Sequence, residues 1–161
     1  MSNWLSSTDI NDMMIQYENK YNDFKFLGAV PIDFDALPQL GISNLDLNSL
    51  VKAGKTKLSI VFNLDESYKS GSFWVASFAN LKEGKIFYYD STGSMPERRV
   101  KKYMKRIVNF YQNDLRIKNI VVAYNKIKHI YEVNECIDFI LQLLNGNTFE
   151  QFCNSRTIDE K

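Results

Sequence analysis

The sequence predicts one α+β domain over residues 1–161, in which helices flank a mainly antiparallel sheet. Apolar residues recur at helical spacing near the start of the chain, and runs rich in β-branched and aromatic residues fill its middle. Near the end, a cysteine stands at the entrance to an apolar helix. A chain of this length can bury roughly 68–70% of its unfolded surface in a single core.

The first third of the chain predicts two helices around a short apolar segment. The polar run 6–9 can cap a helix with apolar residues at helical spacing: Ile10, Met13, Met14 and Tyr17. Residues 24–30 form an apolar stretch that Pro31 ends, and residues 33–42 have the composition of a loop. Residues 46–53 predict a short helix, because Gly54 supplies a typical C-terminal stop.

The middle of the chain changes to the composition of strands. The predicted strands are residues 57–63, 73–79 and 85–90, joined by a polar turn at 65–71 and a hairpin loop at 81–84. Pro96 is expected in the first turn of a long helix with this buried stripe: Val100, Tyr103, Met104, Ile107, Val108 and Tyr111. The last predicted elements are a strand at 119–124, a helix at 137–144 closed by Gly146, and a helical turn or two at 148–153.

Composition excludes several function classes. The formal net charge is +1, so no global field attracts nucleic acid or a membrane surface, and neither is an expected partner. No apolar run has the length of a membrane span, and residues 1–10 lack the pattern of a signal peptide. The sequence contains no Gly-rich phosphate loop, no zinc-ligand spacing and no paired carboxylate in a helix context, so it predicts no cofactor and no metal. Two cysteines without a disulfide framework favour the cytosol or nucleus.

The predicted long helix carries a basic run along its polar side: Arg98, Arg99, Lys101, Lys102, Lys105 and Arg106. Such runs are usually solvated faces, although an acidic partner or a nucleic-acid backbone could use this one.

Cys136 is the first candidate for chemistry. A helix N-terminus favours the thiolate, which is the nucleophilic form of cysteine. The alternative is a small buried apolar residue, which is the commoner fate of a cysteine. Cys153 lies among Phe149, Phe152 and Asn154, and we expect it to be a packing residue.

Asp90 is the second candidate. It ends an aromatic strand and opens the turn 90–93, which its carboxylate can cap. The alternative is the third position of a cysteine triad, in which a carboxylate orients a histidine from the neighbouring strand.

Several segments together resemble the ubiquitin-like-protein (SUMO-deconjugating) protease family. The segments are GSFWVA at 71–76, IFYYDS at 86–91 and NEC at 134–136, and segments 3–6 and 26–31 resemble its viral branch, related to adenovirus proteinase. The resemblance implies a papain-like cysteine-protease fold and cleavage after small residues such as glycine. Implied partners are a ubiquitin-like protein or a viral polyprotein substrate, in the host cytoplasm or the virion.

Three positions match the family pattern in residue type. By this resemblance, Cys136 is the nucleophile and Asp90 is the acid that orients the base. Trp74 matches the tryptophan that follows the family's catalytic histidine and helps to shape the substrate channel.

Three other positions depart from the family pattern. Phe73 occupies the position of the histidine, Ile130 that of the oxyanion glutamine, and Ile137 follows the cysteine where glycine is usual. Phenylalanine cannot accept the thiol proton, and a general base typically contributes 10²–10⁴-fold. We therefore expect an impaired or inactive peptidase; the alternative is a pseudoprotease that binds a ubiquitin-like tail or a viral partner. Natural loss and an engineered or generated variant both account for these substitutions.

The single histidine, His129, is adjacent to Ile130. If this segment is extended, the two side chains point to opposite faces. We therefore expect His129 to be a surface or packing residue rather than a replacement base.

Overall fold

One five-stranded sheet with flanking helices makes up the part of the chain that this computed structural model describes, residues 5–67, 73–126, 128–129 and 135–156. The strands are β1 (Phe24–Pro31), β2 (Lys57–Asn63), β3 (Trp74–Asn80), β4 (Lys85–Tyr89) and β5 (Val121–Tyr124). The helices are α1 (Ser7–Lys20), α2 (Leu47–Lys52), α3 (Arg98–Asn113), α4 (Glu135–Leu144) and α5 (Phe149–Ser155). No helix among these residues is long and apolar enough to cross a membrane.

The sheet has the strand order β1-β2-β3-β4-β5. The three central strands pair antiparallel, whereas β1 runs parallel to β2 and β5 runs parallel to β4. The predicted α+β class is confirmed. The sheet is mixed, and the predicted antiparallel pairing applies to its three central strands, β2, β3 and β4.

Most predicted elements begin and end within two residues of the observed ones. The capping box of α1 is present, because Ser6 Oγ accepts from the Asp9 N–H at 3.0 Å and the Asp9 carboxylate accepts from the Ser6 N–H. The start of α3 differs from the prediction. Glu97 is the N-cap, so Pro96 precedes the helix rather than lying in its first turn. The predicted loop at 33–42 contains two 3₁₀ turns, Phe34–Ala36 and Pro38–Leu40.

Two hydrophobic cores lie on opposite faces of the sheet, because successive side chains of a strand point to opposite sides. The α3-side core includes Leu58, Ile60, Phe62, Val75, Tyr88, Val100, Tyr103, Ile107 and Tyr111. The α4-side core includes Ile10, Met14, Val61, Trp74, Ala76, Tyr89, Cys136, Phe139, Ile140 and Phe152. Burial on both faces explains why the central strands are almost continuously apolar.

The β3–β4 hairpin depends on one glycine. Asn80 Oδ1 accepts hydrogen bonds from the N–H groups of Lys82 and Glu83, and the Gly84 N–H donates to the Asn80 carbonyl at 3.0 Å. Gly84 has φ of 73°, a left-handed conformation that favours glycine. A Cβ at this position would lie 2.7 Å from Ile117 Cγ2.

We predict that Gly84→Ala destabilises the fold more than Gly54→Ala does. Both glycines are left-handed, with φ of 73° and 80°, but a Cβ at Gly54 meets no atom within 4 Å. The conformational cost of about 1–2 kcal/mol is therefore common to both variants, and only Gly84→Ala adds the clash with Ile117. Urea denaturation of the two variants measures the difference. Equal losses in the free energy of unfolding would contradict the prediction.

Candidate active site

Cys136 lies at the predicted position, at the N-terminus of a helix packed against the sheet. It is the second residue of α4 and is 4% exposed. Its thiol donates a hydrogen bond to the backbone carbonyl of Trp74, with 3.2 Å between sulfur and oxygen. The nucleophile position and the first residue of β3 are therefore in direct contact.

Burial changes the chemistry expected of this thiol. Desolvation raises the pKa of Cys136 well above the usual range of thiols, and the negative charges of Asp90 and Glu135 raise it further. These effects outweigh the stabilisation of a thiolate that a helix N-terminus provides. The side chain is a neutral thiol at physiological pH, and a neutral thiol is a poor nucleophile. Burial also raises the pKa of Cys153, to about 11.

Asp90 follows β4 directly and is buried. Its Oδ1 accepts hydrogen bonds from the Thr92 N–H at 2.8 Å and the Thr92 hydroxyl at 2.7 Å, so the carboxylate caps the turn as one of the two interpretations predicted. Its charge also acts on Cys136. Asp90 therefore lies near the nucleophile position, and its role in a triad stays a prediction.

Asn125, the residue that follows β5, binds Asp90, and the sequence did not predict this contact. The Asp90 N–H donates to Asn125 Oδ1 at 2.8 Å, and the Asn125 amide donates to the Asp90 carbonyl at 2.5 Å. Both residues are buried. Asn125 thus binds both backbone groups of Asp90 where the pairing of β4 with β5 ends, and the Gly93 N–H donates to the same Asp90 carbonyl at 2.8 Å. A polar residue after a predicted strand was the only sequence signal, and nothing in the spacing tied it to Asp90.

Phe73 and Trp74 lie next to each other in the chain, but their side chains belong to different cores. Trp74 is 4% exposed and packs in the α4-side core with Cys136. Phe73 is half-buried and packs against the α3-side core. The side chain at the predicted base position, Phe73, therefore packs on one face of the sheet, whereas Cys136 packs on the other face. The role of Trp74 in a substrate channel stays a prediction.

His129 is a buried residue, 2% exposed, rather than a surface one. Its Nδ1 hydrogen-bonds the Tyr89 hydroxyl at 2.9 Å, and its backbone N–H donates to the Ser91 carbonyl at 2.7 Å. Burial lowers its pKa, and the positive charge of Arg156 lowers it further. The imidazole is therefore neutral and packed, in agreement with the packing role that we expected. Ile130, the predicted oxyanion position, lies outside the described residues.

Arg156 fixes the N-terminus of α4, and the sequence did not predict this contact either. The guanidinium Nε contacts Glu135 Oε2 at 2.9 Å, and the same side chain pairs with Asp138. It also lies over the Phe152 ring, 5.2 Å from its centroid. The end of α5 therefore anchors the first turn of the helix that carries Cys136.

The described residues include no group of three His, Cys, Asp or Glu side chains placed to hold a metal ion. Cys136 and Cys153 do not form a disulfide with each other. The described part of the candidate site contains a thiol, a carboxylate and the backbone dipoles of the α4 N-terminus.

Sequence comparison relates the chain to viral cysteine proteases. A protein of Acanthamoeba polyphaga mimivirus described as a thiol protease is 33% identical over 156 residues, which cover 94% of this chain and 51% of the mimivirus protein. The SUMO-1 cysteine protease of African swine fever virus is 29% identical over 119 residues, which cover 69% of this chain and 42% of that protein. The chain thus spans about half the length of these relatives. No protein-family model matches it.

Structural comparison identifies the same fold. The crystal structure of the African swine fever virus protease superposes with a TM-score of 0.74 at 22% identity, covering 99% of this chain and 64% of that one. The SUMO protease Ulp1 superposes with a TM-score of 0.57 at 16% identity, covering 95% of this chain and 74% of that one. The predicted cysteine-protease fold is confirmed, and the relation to adenovirus proteinase stays a prediction.

We predict that Cys136 reacts slowly with a thiol reagent in the folded chain. In the Cys153→Ser variant, the rate of reaction with dithionitrobenzoate at pH 7 is expected to be at least about tenfold lower in the native state than in urea, because the thiol is buried and neutral. Raising the pH should increase the native rate only above the range in which a free cysteine ionises. The Cys136→Ser variant reports Cys153 separately. Equal rates in the native and unfolded states would contradict the prediction.

Asn125→Ala is expected to lower the free energy of unfolding by about 1–3 kcal/mol, because it leaves the buried N–H of Asp90 without its side-chain partner, while the Asp90 carbonyl keeps the hydrogen bond from the Gly93 N–H. Asn113→Ala is the matched control. Asn113 is exposed at the end of α3, and its replacement should change stability by less than about 0.5 kcal/mol. Chemical denaturation of both variants measures the difference, and equal stabilities would show that the contact with Asp90 contributes nothing.

Proposed function

This chain is a homologue of the viral thiol and SUMO-1 cysteine proteases, and from that premise we propose that it is a cysteine-peptidase domain with impaired catalysis. Its substrates would be proteins or polyproteins cut after small residues such as glycine, including ubiquitin-like tails. The observation that carries the proposal is the thiol of Cys136 at the N-terminus of α4, hydrogen-bonded to the backbone of β3 and influenced by the carboxylates of Asp90 and Glu135 rather than by a base.

The proposed reaction begins with attack of the Cys136 sulfur on the scissile carbonyl carbon. The thiol proton must leave the sulfur, and in a complete site it would move to a base and then to the leaving amine. Water would then hydrolyse the thioester and release the acid product. The Trp74 carbonyl accepts a hydrogen bond from the thiol, but a peptide oxygen is too weak a base to take its proton.

Two missing groups support impaired turnover. A general base typically contributes 10²–10⁴-fold, and one oxyanion donor contributes on the order of 10²–10³ in kcat. The two losses need not multiply, because residues that act as a unit are non-additive. The raised pKa of Cys136 adds a separate barrier, since little thiolate exists at neutral pH.

A second candidate function is binding without cleavage. It is favoured by the retention of the protease fold around a neutral, buried thiol. The SUMO protease Ulp1 has been crystallised in complex with Smt3, the yeast ortholog of SUMO. By analogy, this chain would bind a ubiquitin-like tail or a viral partner through the surface around Trp74. Its two cysteines form no disulfide, which supports a reducing compartment such as the host cytoplasm, the nucleus or a virion.

We predict that a ubiquitin-like probe with a C-terminal electrophile labels the unaltered chain slowly or not at all at neutral pH. The double variant Phe73→His/Ile130→Gln should label at least about 10²-fold faster, because a histidine whose side chain turns from the α3-side core towards Cys136 supplies a base, and the glutamine supplies an oxyanion donor. Phe73→Asn/Ile130→Gln is the matched control, since asparagine is polar but cannot act as a base. Cys136→Ala should abolish labelling in every background. Rapid labelling of the unaltered chain would overturn the proposal of impaired catalysis.

Binding is separated from cleavage by titrating the unaltered chain with a ubiquitin-like protein ending in Gly-Gly and with the same protein lacking that tail. Saturable binding that requires the tail, without turnover, favours the pseudoprotease. Absence of binding to either form contradicts it.

A further inference from the structure

The helix α3 concentrates positive charge on a chain that is almost neutral. Its sixteen residues include six lysines and arginines and no acidic residue, whereas the formal charge of the whole chain is +1. The remainder of the chain therefore carries a formal charge of −5. A cationic surface on an otherwise acidic protein selects for an anionic partner.

Only part of this charge is neutralised within the fold. Arg99 contacts Glu97 at 2.9 Å and Glu66 at 3.8 Å, and Lys102 contacts Asp35 at 3.3 Å. Lys102 keeps 76% of its side chain exposed, so this ion pair is weak.

The other cations of α3 have no such partner. The guanidinium of Arg106 donates to backbone carbonyls, including that of Ile42 at 2.7 Å. Within the described residues, Arg98, Lys101 and Lys105 form no ion pair, so their charge is available to a ligand.

A cavity opens beside the same helix face. It has a volume of about 310 Å³ and an apolar floor formed by Phe34, Ile42 and Tyr103. Its rim carries Arg99, Lys102, Lys105 and Arg106, together with one carboxylate, Asp35, which pairs with Lys102. Arg99 lies three residues before Lys102, and Lys105 and Arg106 lie three and four residues after it, which places the four cations along one side of α3. The volume is sufficient for one large apolar side chain, and the cations surround its entrance.

We propose that this α3 groove is a docking site for an acidic peptide segment that inserts one apolar side chain into the cavity. The apolar floor favours a peptide over a nucleic-acid backbone, which would present only phosphate and sugar to it. The two aromatic rings of the floor are not available to stack on bases. Phe34 and Tyr103 are both buried and pack on Phe62, with ring centroids 5.2 and 5.6 Å apart.

The groove lies on the opposite side of the sheet from Cys136. Tyr103 belongs to the α3-side core, whereas Cys136 belongs to the α4-side core. An acidic segment in the groove would therefore leave the surface around Trp74 accessible. The site could retain a partner or substrate whose cleavable tail reaches the other face, and it does not depend on the proposed peptidase activity.

The test is fluorescence polarisation with a short fluorescein-labelled peptide in which aspartates flank one central leucine. We expect saturable binding at low salt that weakens as salt rises, because the contacts are electrostatic and exposed. Replacing the leucine by serine should weaken binding at least about tenfold, or about 1.4 kcal/mol. Replacing the aspartates by asparagine should abolish it. The same affinities are expected for Cys136→Ala, so the outcome is independent of catalysis.

Two charge-reversal variants locate the site. Lys102→Glu/Lys105→Glu should weaken peptide binding at least about tenfold, whereas Lys20→Glu/Lys82→Glu, an equal charge change at exposed residues outside α3, should leave it within about twofold. Three results would overturn the proposal: no saturable binding at low salt, equal binding of the leucine and serine peptides, or tighter binding of a labelled DNA duplex than of the peptide. The last two would indicate a non-specific polyanion surface.

Discussion

The alternation of side chains along β3 is the constraint on which the rest of the site depends. Trp74 and Ala76 face α4, whereas Val75 faces α3, and both faces are closed by packed helices. A slip of one residue would exchange the two sets and place each against the wrong core. The position of Cys136 relative to β3 therefore follows from the packing of α4 on the strand, and the thiol contact with the Trp74 carbonyl is one consequence.

Much of the fold and part of the site could be predicted from local patterns. The strand predicted at residues 57–63 has the same bounds as β2. The prediction succeeded because a fully buried strand needs a continuous apolar run. The placement of Cys136 at a helix start followed from the apolar run after it. Its burial was one of two interpretations of the sequence, which could not decide between them, since burial depends on how closely α4 packs on β3. Asn125 and Asp90 are 35 positions apart in the sequence, and Arg156 and Glu135 are 21 positions apart. A local pattern cannot reveal hydrogen bonds between residues so far apart.

Two opposing effects act on Cys136, and their relative size decides its chemical state. The partial positive charge of a helix N-terminus contributes about 0.3–1 kcal/mol when exposed and up to about 2 kcal/mol when partly buried. Complete burial of an ionised group costs more than this unless a counter-charge pairs with it. The charges that act on the pKa of this thiol are those of two carboxylates, Asp90 and Glu135, and both disfavour the thiolate. A positively charged imidazole is the group that would reverse this balance.

Each member of the site is stabilised by a contact other than the one catalysis would need. The thiol of Cys136 donates to the Trp74 carbonyl, and the Asp90 carboxylate accepts from Thr92. Phe73 adds apolar packing to the α3-side core. A histidine at position 73 would lose that packing and would need a hydrogen-bond partner where it is half-buried. Phenylalanine therefore suits the packing at position 73 better than histidine does, and Phe73→His would carry a cost in stability.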